Sequence, residues 1–153
     1  MRRLAVLVAL GSLGCGSRPG APGPQSMTEA LARFFAAVQA NDLERMGTLW
    51  GTERGPAAQW MKADELHKRL AVIQKYLTHD GYRVAEGPLP VPGHDNQRTL
   101  RIELQRAGCN MIQPIDLIRA KSGAWLVYDV HLESLRNPVV GCKPPPPARG
   151  TGP

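Results

Sequence analysis

Long apolar runs are missing from this chain. The longest, Leu4–Leu10, is far shorter than the roughly 20 residues a membrane-spanning helix needs. Aromatic residues make up only 5% of the sequence, and no block of five or more like charges interrupts it, although 19 Lys and Arg outnumber 13 Asp and Glu. Sparse aromatics and dispersed charge argue against a nucleic-acid surface. There is no Gly-rich phosphate loop, no GxSxG and no CxxC, which removes the nucleotide sites, hydrolase elbows and cysteine metal knuckles those motifs build.

What the chain does have begins at its first residues. Met1-Arg2-Arg3 gives a positive start, Leu4–Leu10 follows without a polar residue, and Gly11-Ser12-Leu13-Gly14 leads through small residues to Cys15. Basic, then apolar, then small is the layout of an export signal. A cysteine directly after the small stretch resembles the lipobox of bacterial lipoproteins. That resemblance implies a signal peptide over residues 1–14, cleaved before Cys15, with lipidation of Cys15 at both its thiol and its new amine. Two or more acyl chains hold a protein stably at a membrane, where one is marginal. Gly16, rather than Asp, resembles the sorting choice that sends such proteins to an outer membrane, facing the periplasm, where one exists. Ser12 stands where the lipobox prefers Leu, Val or Ile, and Ser12 with Gly14 also satisfies ordinary signal cleavage. A soluble secreted or periplasmic product is the alternative.

Residues 15–25 read as a Pro/Gly-rich tether and residues 143–153, opening Lys143-Pro144-Pro145-Pro146-Pro147, as a disordered Pro-rich tail. One domain over residues 26–142 remains, enough for a single core. Loss of Arg2 and Arg3 leaves 17 basic against 13 acidic residues, a net +4. The excess is spread along the chain, through Arg33, Arg45, Lys62, Lys75 and Arg101 among others, and its natural use is weak attraction to anionic lipid headgroups.

Inside the domain the first half has helical spacing. Leu31, Phe34, Phe35 and Val38 share one stripe of a helix over Met27 to Ala40. Asn41 followed by Glu44 predicts a capped second helix carrying Leu43, Met46, Leu49 and Trp50. Pro56 suits the start of a third, with Leu66, Leu70, Ile73 and Leu77 as its buried face and Gly81 after its end. From Tyr82 the period becomes two. A short strand to Glu86, a Gly/Pro-rich loop over residues 87–96, a half-buried strand with Leu100, Ile102 and Leu104 inward, and a strand from Met111 to Arg119 are expected. Pro114 suggests that the last of these is an edge or carries a bulge. Ala124 to Glu133 is expected to be the longest strand, with Leu126, Tyr128, Val130 and Leu132 facing the core and Trp125, Val127, Asp129 and His131 outward. Helices first and an antiparallel meander after them predict the α+β class.

The helix ending FFAAVQANDLERMGTLW, the helical middle and the final GAWLVYDVHLES strand resemble the nuclear-transport-factor-2-like superfamily, and within it small bacterial lipoproteins. The resemblance spans about residues 26–134. It implies a cone: N-terminal helices packed in a strongly curved antiparallel sheet, with a pocket at the open end. The superfamily holds both enzymes of the isomerase and dehydratase kind and non-catalytic binding modules, so fold alone leaves the activity open. Trp50, Trp60, Tyr76, Leu126 and Tyr128 are the expected walls of the pocket. The reading favours a lipid-anchored envelope domain that binds a small apolar ligand or an envelope partner without turning it over, and needs no cofactor or metal.

The catalytic alternative requires an inward carboxylate and an oxyanion donor. Tyr128 is the candidate donor; Asp116 is a candidate base, more simply a solvated or turn-bonded side chain; Asp129 and His131 are a candidate pair. His79-Asp80 and His94-Asp95 have metal-compatible donors but read as turn chemistry, and His67 as a surface residue. A third class, a partner-docking module, would use the Trp125/Val127 face. If Cys15 carries lipid, Cys109 and Cys142 are left to form a disulfide in an oxidising compartment.

Overall fold

The computed structural model describes residues 23–135; the leader, Cys15, Cys142 and the Pro-rich tail lie outside them. Helix α1 (Met27–Gln39) starts where Ser26 Oγ accepts from the Glu29 amide at 3.1 Å, while Glu29 Oε2 accepts from the Gln25 amide at 2.7 Å. The first bond occupies a donor that a helix start leaves unpaired, and the second ties the preceding residue to the first turn. Helix α2 (Leu43–Leu49) is capped by Asp42, whose Oδ1 accepts from the Arg45 amide at 2.9 Å. The expected cap, Asn41, sits one residue earlier at φ 53, in the left-handed turn that ends α1 and that Asn tolerates better than most residues. Strands β1 (Gly51–Thr52) and β2 (Gly55–Pro56) then form a minimal hairpin, followed by a 3-10 turn over Ala57–Gln59. Pro56 is thus held in a strand pair, and α3 (Ala63–Leu77) begins later than expected.

The second half is a four-stranded antiparallel meander, β3 (Gly81–Val91), β4 (His94–Arg106), β5 (Cys109–Arg119) and β6 (Trp125–Asp129), in that spatial order. The class is α+β. Among the described residues the sheet is open, with no closure into a barrel.

The expected loop over residues 87–96 is strand, apart from a tight turn at Pro92-Gly93. Register shifts between Val84 and Glu86, Glu86 and Leu89, and Pro90 and Val91 absorb the prolines along this edge, where a missing amide breaks no ladder. Pro114 lies in β5, an interior strand, opposite Arg101. β6 pairs with β5 only from Asp116 onward. Beyond that point the buried Gln113 side chain bridges the gap, its Nε2 donating to the Val130 and His131 carbonyls, the latter at 3.0 Å.

The last strand departs most from the sequence pattern. β6 is the shortest in the meander and ends at Asp129, because His131 adopts φ 42 and turns the chain. Asp116 pairs with Asp129 but Leu117 pairs with Val127, so Tyr128 is an extra residue in the ladder. Such a bulge resets which side chains face inward. Val127 and Val130 enter the main core, with Trp125 packed against it, while Leu126 joins Ile118 and Ala120 in a separate small cluster. The expected faces of residues 125–127 are therefore reversed, and the Trp125/Val127 face is not open for docking.

The core lies between the helices and the sheet. Phe34 and Phe35 of α1, Met46 of α2, and Leu70 and Leu77 of α3 pack over Ile102, Leu104, Ile115, Leu117 and Val127. Burying each such side chain contributes about 1.5–3 kcal/mol. At the other edge of β6 the chain from α2 returns: Trp50 forms an isolated parallel bridge to Val127, placing the β1–β2 hairpin beside the meander.

Candidate functional site

Three places on the domain gather chemistry. The first is a cavity of about 500 Å³ bounded by α1, α2, the β1–β2 hairpin and the β5–β6 turn. Arg33 of α1, Arg45 of α2 and Arg54 at the hairpin tip all line it, with Thr48, Gln59 and Ser122. Arg33 Nη2 lies 2.5 Å from Glu29 Oε1. The Arg54 guanidinium sits 5.4 Å from the centre of the Trp60 ring. Trp60 Nε1 donates to the Gly55 carbonyl at 3.2 Å, tying that ring to the hairpin. A Cβ on Gly51 would stand 2.4 Å from the Gly55 carbonyl oxygen, so only glycine lets the hairpin close this tightly. The domain's first described residues, Gly23 and Pro24, are at the rim, where the Pro24 carbonyl accepts from the Trp125 amide at 2.9 Å.

The second is a shallow apolar groove of about 370 Å³ between α3 and the end of β6, formed by Trp50, Val72, Ile73 and Leu132 and flanked by Lys68 and Arg69. Trp50 Nε1 donates to the Tyr128 carbonyl at 3.0 Å, so the indole is fixed with its ring as the groove wall.

The third is a polar cluster on the side of the sheet away from the helices. Asp116 Oδ1 accepts from Thr99 Oγ1 at 2.5 Å and its Oδ2 lies 2.9 Å from His131 Nε2. His131 Nδ1 lies 3.1 Å from Glu133 Oε1. Burial works against a charged imidazole here, but the hydrogen bonds to Asp116 and Glu133 and the charges of Asp129 and Asp116 outweigh it, so the His131 pKa is raised. The sequence pairs His131 with Asp129; in the structure Asp129 Oδ1 accepts from the His131 backbone amide at 3.0 Å, and the ring turns to Asp116 instead.

The residues expected to wall one pocket are distributed. Trp50 is in the apolar groove, Leu126 lines the arginine cavity, and Trp60 stacks beside that cavity under Arg54. Tyr76 packs against the core from α3, and Tyr128, 37% exposed, stands on the bulge. Leu31, Phe34 and Phe35 of α1 pack into the core with the inward side chains of the sheet. The convergence of Arg33, Arg45 and Arg54 carries no sequence signal, because three arginines in three different elements have no common period.

Among the described residues, no group of three or more His, Cys, Asp and Glu side chains is placed to hold a metal ion. Asp80 Oδ2 accepts from the Ala107 amide at 2.8 Å, bracing the β4–β5 turn. His79 is buried against Phe35 and Tyr82, with ring centres 5.1 and 5.6 Å away. His94 and Asp95 are exposed at the β3–β4 turn, and His67 is exposed on α3. Among the described residues no helix is long and apolar enough to cross a membrane. No protein-family model matches the sequence, and no curated protein matches it.

Proposed function

We propose that this chain is an exported, lipid-anchored protein of the cell envelope whose single domain binds a small apolar ligand without transforming it. The observation that carries the binding reading is the groove of Trp50, Val72, Ile73 and Leu132, where Val72 keeps half its surface exposed. Apolar area left open beside polar or charged side chains is the usual character of a recognition surface. The nuclear-transport-factor-2-like cone is supported by the order of two helices, a hairpin, a third helix and a meander, and by the parallel Trp50–Val127 bridge that brings the hairpin to the free edge of β6. A non-catalytic role is supported by Gln113, the buried polar side chain that β5 sends inward among the core residues: an amide is neither a general acid nor a base.

Two measurements test the reading. Cys15→Ala moves the protein from the membrane fraction to the soluble fraction and abolishes incorporation of labelled palmitate; retention at the membrane refutes the lipid anchor. Val72→Glu leaves the far-ultraviolet circular dichroism spectrum unchanged and abolishes saturable enhancement of Nile red fluorescence; undiminished enhancement refutes the groove.

A further inference from the structure

We infer that the cavity between α1, α2, the β1–β2 hairpin and the β5–β6 turn is a binding site for a phosphate-type anion, held by Arg45 and Arg54. None of the described residues lining it is acidic. The neighbouring acids are engaged elsewhere: Asp42 caps α2, and Glu53 lies 4.0 Å from Lys121 across the hairpin. Arg45 and Arg54 form no ion pair with a carboxylate among the described residues. Stacking on Trp60 orients Arg54 without neutralising it, since a ring face offers a cation a quadrupole and no counter-charge. Guanidinium groups match tetrahedral oxyanions through paired N–H donors, and Gln59 and Ser122 add neutral donors around the same space.

The site is also at the end of the domain that the tether leaves. Gly23 lies eight residues after Cys15, a span of at most about 28 Å when fully extended. If Cys15 is acylated, as proposed above, the cavity is therefore held near a bilayer surface, where phosphate groups of lipid headgroups are abundant. The anion chemistry itself does not depend on that anchor, and the cavity shares no lining residue with the apolar groove.

The test uses the chain from Gly16 to Pro153, which has no acyl attachment point at its start. Inorganic phosphate is titrated against tryptophan fluorescence, and co-sedimentation is measured with phosphatidylglycerol-containing and with pure phosphatidylcholine vesicles. Saturable phosphate binding is expected, weakened about tenfold by Arg45→Gln and by Arg54→Gln, each exposed and so foldable, and unchanged by Lys75→Gln, which removes equal charge from α3. Sedimentation with phosphatidylglycerol vesicles that is lost in the arginine variants and competed by phosphate identifies a headgroup as the source. Phosphate binding without sedimentation identifies a free anion. Absence of both, or an equal loss in Lys75→Gln, overturns the site.

Discussion

His131 Nε2 and Asp116 Oδ2 stand 2.9 Å apart, and this contact joins the end of the sheet to the chain that leaves it. His131 is the residue whose left-handed backbone, at φ 42, terminates β6, and Asp116 is itself held by Thr99 on β4. Three elements thus meet at one carboxylate. A folded-state pKa raised above the ordinary His value of about 6.5 means that the folded protein binds the proton more tightly than the unfolded chain. The resulting stability is complete below about pH 6.5 and is lost as pH rises through the folded-state pKa. Thermal midpoints should therefore fall between pH 6 and pH 8.5 by more in the native protein than in Asp116→Asn, where the Asp116 part of this contribution is removed and those of Glu133 and Asp129 remain. Identical slopes in the two proteins would eliminate the contact as a source of pH dependence.

The bulge at Tyr128 makes a prediction that strict alternation reverses. Val127→Ala, in the main core, should destabilise by about 1–3 kcal/mol, whereas Tyr128→Ala on the exposed bulge should stay within about 1 kcal/mol. Urea unfolding of both variants decides the matter. A larger loss for Tyr128→Ala would place the register of β6 one residue away from that described.

These results show which features a sequence carries on its surface. Leu31, Phe34, Phe35 and Val38 were legible as a helix face because burial selects a 3.6-residue period, and Leu100, Ile102 and Leu104 because a sheet face selects a period of two. Gly87–Val91 was not legible as strand: its glycine and prolines signal a loop, yet an edge strand tolerates them through register shifts. The face of β6 was hidden for a related reason, since one extra residue at Tyr128 leaves composition unchanged while breaking the alternation between Val127 and Val130. Cavities formed by distant elements escape such patterns altogether. Arg33, Arg45 and Arg54 become neighbours of one space only after two helices and a hairpin have packed.

Gly87 is the position where the edge strand is least tolerant. It has φ 117, and a Cβ there would meet the Thr99 carbonyl oxygen at 2.8 Å and Leu100 Cδ2 at 2.9 Å. Gly87→Ala should cost about 1–3 kcal/mol through backbone strain and this close approach. Gly93→Ala, also at positive φ but with nothing within 4 Å of the added carbon, isolates the backbone part. Equal losses in the two variants would show that crowding against β4 is not felt.

The pairing of Cys109 with Cys142 would close the chain across the region that leaves β6. Cys109 begins β5, half-buried, and the two cysteines are separated by 33 positions. In the chain-entropy picture a loop of that size stabilises the folded state by about 3–4 kcal/mol. Protein secreted to an oxidising compartment should show a mass two hydrogens below the reduced value. Cys142→Ser should lower the thermal midpoint by several degrees, and dithiothreitol should then have no further effect on that variant. The comparison separates a structural bridge from a general sensitivity to reductant: a native midpoint that does not move with dithiothreitol, together with full alkylation of Cys109 in the unreduced protein, would show that the bridge does not form.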